Sequence, residues 1–189
     1  MANVNRPKGF TPVKHSNGSP FNGQATLMFS DSDNLFKGDL VKLAGDGVAR
    51  DDGLYMNCDR VSAAGDTILG VVIGWEANPD NLNNLYHPAS STYGVFVADA
   101  RDLILEAQAD DAIAGADIGL NVSPLIGAGS TSTGVSNFEV DSSTKATTNT
   151  LTLTIVGAVA SPDNETNASD NKVLVKINEH QYADQIAGV

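Results

Sequence analysis

Cysteine occurs once, at Cys58, so no disulfide can form within the chain and its stability has to come from packing. Histidine is nearly as scarce. His15, His87 and His180 are far apart, no G-x-S-x-G elbow accompanies them, and no nucleophile–base pair is legible. One cysteine and three dispersed histidines make no zinc motif. Asp31-x-Asp33-Asn34 opens like a calcium loop but lacks the glycine at loop position six and the closing glutamate, and reads as a polar turn. No phosphate-binding G-K-S/T loop occurs. Apolar runs fall far short of the roughly 20 residues of a membrane span, and the first 24 residues hold no apolar core of a signal peptide. These absences argue against an enzyme, against a cofactor or metal and against a membrane protein. A soluble, cytosolically made chain is expected.

The chain does contain glycine, 18 residues of it, with Thr, Ser and Asn between short apolar runs, the profile of a β protein with many turns. The run Ile68–Trp75 inside TILGVVIGWEANPDN (67–81) is β-branched and interrupted by Gly70 and Gly74, which fits a buried strand. The pattern returns 83 residues later in TIVGAVASPDN (154–164), where Val72-Ile73-Gly74 faces Ile155-Val156-Gly157 and Pro79-Asp80-Asn81 faces Pro162-Asp163-Asn164. Further strands are expected at 25–29, 38–43, 93–98, 103–106, 117–120 and 172–177, with a weaker one at 54–58. The spacing also predicts a hairpin of 135–140 with 151–159 around a polar linker at 141–149. GAGSTSTG (127–134) reads as a flexible loop, and residues 107–116 as one or two helical turns. GDLVKL, the first run and GVFVAD correspond in order to ADIGLN, the second run and KVLVKI. Two readings stay open: an internal duplication, or the ordinary likeness of turn–strand–turn units. The fold class is all-β, a compact β-barrel or a jelly-roll-like β-sandwich with at most short helices.

Net charge is −12, unevenly spread. Residues 1–24 carry Arg6, Lys8 and Lys14, with His15, and no acid. The rest of the chain holds all 23 acidic side chains, a field that repels nucleic acid. Pro7, Pro12 and Pro20 forbid a helix in the basic segment and favour extended backbone. Residues 1–24 are therefore expected to be an extended arm on a single acidic body, 25–189. Its candidate partner-binding residues are Arg6, Lys8, Phe10, Lys14, His15 and Phe21, the cations to pair with acids and the aromatics to fill apolar pockets. A solvated terminus is the plain alternative.

NVNRPKGFTPVKHSNGSPFNGQ, FKGDLVKL, AAGDTILGVVIGWEANPDNLNNLY and VGAVASPDNE with KVLVKINEHQ resemble tailed-bacteriophage capsid decoration, or cement, proteins. The resemblance implies a β-barrel or sandwich on the outside of an icosahedral head, tying major capsid subunits together. It further implies partners in the major capsid protein and neighbouring copies of the chain, as a dimer or trimer on symmetry axes. The location would be the virion surface after synthesis in the host bacterial cytoplasm. A receptor- or glycan-binding β module of a fibre is the alternative, with Trp75, Tyr86, Tyr93 and Tyr55 as candidate platforms.

Overall fold

The computed structural model describes residues 3–30 and 32–183. Eleven strands carry the described fold: β1 Thr11–His15, β2 Thr26–Ser30, β3 Leu40–Arg50, β4 Gly53–Arg60, β5 Gly70–Trp75, β6 Val95–Ala98, β7 Leu103–Gln108, β8 Asn121–Leu125, β9 Glu139–Ala146, β10 Leu153–Ala158 and β11 Lys172–Ile177. Helix among these residues amounts to one 3-10 turn, Gly115–Asp117. The all-β reading holds.

Strands β2, β4, β3, β5 and β6 pair in that order and close into a five-stranded barrel. Closure is made by β2, antiparallel to β6 (Met28 opposite Val95) and parallel to β4 (Ser30 opposite Cys58). Alternation turns Val41, Val72, Val95 and Val97 inward, where they pack with Met28, Leu69 and Cys58.

The second sheet runs β1-β7-β11-β10-β8-β9. Its far edge curls back, with Ala109 bridging Val140 in parallel and the Asp110 N–H donating to Val140 O at 3.1 Å. Without β1, the circuit β7-β9-β8-β10-β11 repeats the circuit β2-β4-β3-β5-β6, including the one parallel contact in each. The repetition reaches single residues. The β5–β6 register slips between Val72 and Gly74, and the β10–β11 register slips between Ile155 and Gly157. Gly38 and Gly119, at φ 94° and 93°, precede the equivalent strands β3 and β8 and donate to the equivalent carbonyls of Val72 and Ile155. Of the two readings left open by the sequence, duplication is the one this topology supports.

Residues 107–116 do not form the expected helical turns, since β7 runs on to Gln108 and only Gly115–Asp117 turns, and the strand expected at 117–120 starts instead at Asn121. Three larger expectations also need correction. First, β9 and β10 form no hairpin, because β8 lies between them, as β3 lies between β4 and β5. The polar linker at 141–149 instead supplies most of β9, where Thr144 Oγ1 accepts from the Ser123 N–H of β8 at 2.9 Å. Second, GAGSTSTG is a packed connection. Lys37 N–H donates to Gly134 O at 3.0 Å, Ser136 N–H donates to Lys37 O at 2.9 Å, and a Cβ on Gly129 would strike the Phe36 ring.

Third, the N-terminal segment lies on its own chain. β1 pairs antiparallel with β7, Thr11 opposite Glu106 and Lys14 opposite Ile104. Phe10 is 1% exposed, and it joins a core that runs from Leu40 and Val71 of the first barrel to Leu105, Val122 and Val175 of the second. Phe10 N–H donates to Gly38 O at 2.9 Å, where Gly9 and Gly38 cross so closely that a Cβ on either would meet the other segment's backbone. The physical reason is proximity. The edge of β7 offers backbone partners and the seam between the barrels offers an apolar site, both on the same molecule. Phe10→Ala should therefore cost about 3–5 kcal/mol in denaturant unfolding. Deleting residues 1–24 should lower the melting temperature, and a deletion that melts like the full chain would contradict this placement.

Candidate functional site

Two side chains join the barrels. Asp39, just before β3, is fully buried, and Arg60 at the end of β4 grips it side-on: Nε to Oδ2 at 2.9 Å and Nη2 to Oδ1 at 3.3 Å. The same guanidinium donates to Gly127 O and lies 4.3 Å from the centre of the Phe138 ring, both in the β8–β9 connection of the second barrel. Asp39 Oδ2 also accepts the Phe36 N–H at 2.9 Å. Burial pushes the Asp39 carboxyl above its ordinary range, and Arg60 is the strongest influence pulling it back. Neither residue stood out in the sequence, where they are charged residues 21 positions apart with no pattern to link them.

The six candidate partner-binding residues divide by chemistry. Phe10 is core, and Phe21 is half-buried against the same cluster, its N–H on Val13 O at 3.1 Å. Neither ring is free to fill a pocket elsewhere, which corrects that part of the expectation. His15 Nδ1 sits 2.9 Å from Asp102 Oδ1, a contact that lowers the Asp102 pKa. Lys8 pairs with Glu106 at 2.9 Å, half its side chain remaining in solvent. Arg6 and Lys14 are exposed. The structure thus brings the cations together on the outside of β1 and β7 and sends the aromatics inward.

The other histidines serve the fold. His87 is buried, its Nε2 2.8 Å from Tyr93 O and its backbone bridged to Leu35. His180 is buried with Nε2 3.1 Å from Asp99 O, and burial lowers both pKa values. Cys58 is fully buried, and burial pushes its thiol up to about 12. Among the described residues no cluster of three or more His, Cys, Asp or Glu is placed to hold a metal. Asp31 of the polar turn lies outside them. No helix of the described residues is long and apolar enough to cross a membrane.

The four candidate aromatic platforms are dispersed. Tyr93 is buried edge-on to His87, Tyr86 stacks on Phe36 at 5.4 Å, and Trp75 packs on the first barrel's core. Tyr55 lies near the β3–β4 tip beside Arg50. A shallow concavity of about 380 Å³ opens there, lined by Phe29, Val48, Arg50, Asn57, Ser91 and Thr92. Arg50 is already paired with Glu76 (3.0 Å) and Asp52 (3.3 Å), which leaves it poorly suited to capture a further anion.

Comparison of the chain with family models, with curated proteins and with solved structures finds no match.

Two outcomes test the site as described. Arg60→Met should cost about 3–5 kcal/mol at pH 7, because it leaves the Asp39 carboxylate buried without its partner. A carboxyl whose folded-state pKa lies above its unfolded value takes up its proton more readily when folded. Relative to wild type, the deficit of the variant should therefore shrink as the pH of the melt falls from 7 toward 4.5. A deficit independent of pH would contradict the assignment. Cys58 should resist a thiol reagent in the folded protein at pH 7 and react fully in denaturant.

Proposed function

We propose that the protein is a virion structural protein, a decoration or cement protein that binds the outside of an icosahedral phage head and stabilises contacts between major capsid subunits. The observation that carries this reading is where the resembling segments fall. The N-terminal segment, FKGDLVKL and both glycine-punctuated runs build the joint between the two barrels or the strands next to it. A protein that ties subunits together has to pass load through its own body, and a doubled unit whose joint is packed by one continuous apolar cluster suits that task. Cations gathered on one side of a chain of net charge −12 give such a body a face for attachment. Many modest contacts repeated around a shell add up by avidity to strong stabilisation.

Co-sedimentation tests the reading. The purified protein should pellet with undecorated phage heads and raise their melting temperature. A folded protein that stays in the supernatant with heads at micromolar concentration would refute it, and selective binding on a glycan array would then favour the fibre-type module.

A further inference from the structure

Three faces of the molecule carry unexplained surface chemistry. The concavity beside Arg50 is open and its cation is neutralised. The protruding β3–β4 tip exposes Leu54 and Met56, but nothing around it indicates what would cover them. The outer face of the second sheet carries more.

The register of β1, β7 and β11 lines up three rows across this face. Lys14, Ile104 and Lys176 form the first. Thr11, Glu106 and Leu174 form the second, with Lys8 reaching Glu106 from outside it. Gln108 and Lys172 form the third, where Gln108 Oε1 accepts the Arg6 N–H at 3.0 Å. Rows two residues apart on a strand are about 7 Å apart, and alternate strands about 10 Å. Arg6, Lys8, Lys14, Lys172 and Lys176 are five of the chain's eleven lysines and arginines, gathered on one sheet face of an otherwise acidic protein.

Lys8 is paired with Glu106, and Lys172 with Asp163 at 2.7 Å. Among the described residues Arg6, Lys14 and Lys176 make no ion pair within 4 Å, although Lys176 is close enough to Asp102 to help lower its pKa. Register slips flank the first row at both ends and leave Val13 39% and Val156 41% exposed. Alternation in KVLVKI puts Lys172 and Lys176 on one side of β11. That they stand beside the N-terminal segment is visible only in the fold.

We infer that this composite face, with Lys14 and Lys176 at its centre and Val13 and Val156 at its margins, is the docking surface for a carboxylate-rich protein surface. The inference rests on the capsid reading, in which that surface belongs to the outside of the head. It replaces the idea of a free arm with a preformed, rigid patch that pays little ordering entropy on binding. A protein is favoured over nucleic acid because the acidic field of the rest of the chain opposes a polyanion, whereas a protein surface presents its carboxylates locally beside apolar groups. The lysines steer and orient, so binding weakens with salt.

The test is co-sedimentation of undecorated heads with wild type, K14E/K176E and a control K37E, which alters an exposed lysine elsewhere. All three are first shown to melt within a few degrees of one another. The expected result is at least a tenfold loss of affinity for K14E/K176E, little change for K37E and weaker wild-type binding between 50 and 300 mM salt. Equal binding by K14E/K176E would overturn the docking surface and leave the capsid reading intact. No binding by wild type would overturn both. Wild-type affinity for a short DNA duplex matching that for heads would overturn the choice of a protein partner, and so would self-association lost in K14E/K176E while head binding persists.

Discussion

The contact between Arg60 and Asp39 is the constraint on which the arrangement of the two barrels depends. One guanidinium neutralises a buried carboxylate of the first barrel, donates to a carbonyl of the second and covers an aromatic ring there. A buried pair of this kind adds little over a well-packed apolar substitute but is costly to break, so its contribution is to register rather than to raw stability. Around it, Phe10 and the Gly9–Gly38 crossing bring the N-terminal segment into the same joint, and the β8–β9 connection packs on Phe36. Three segments far apart in sequence therefore converge on one seam.

The repeated topology gives a reason for such a seam. The closed barrel and the curled sheet repeat one strand order, and five short strands bury limited apolar area by themselves. The halves have diverged where they touch other things. The first has a long β3–β4 ribbon. The second has β1 added to its sheet and its β8–β9 connection laid across the first barrel. β1 turns a plain sheet edge into a broad outer face that gathers positive charge on an acidic protein. Architecture and proposed attachment meet in that one strand.

Much of the fold was legible in the sequence because period-2 alternation and glycine–proline punctuation act locally. The matched runs at 68–75 and 154–159 even carry the same register slip. What the sequence concealed was non-local. Nothing in Thr11–His15 says that its strand partner is 88 to 95 residues away in β7, because an edge strand with proline and lysine reads equally well as a free arm. The aromatics Phe10 and Phe21 were visible as anchors, but an anchor does not say which molecule it enters. GAGSTSTG looked flexible because glycine signals both mobility and close approach, and only the Phe36 ring packed on Gly129 and the Leu85 backbone packed on Gly134 tell the two apart. Asp39 and Arg60 carried no pattern at all.

Both barrels and the N-terminal segment should behave as a single cooperative unit through the shared seam. Differential scanning calorimetry of the full chain tests it most directly. One transition is expected, with calorimetric and van't Hoff enthalpies that agree. Two resolved transitions, or a van't Hoff enthalpy near half the calorimetric value, would show that the barrels melt independently and would contradict it.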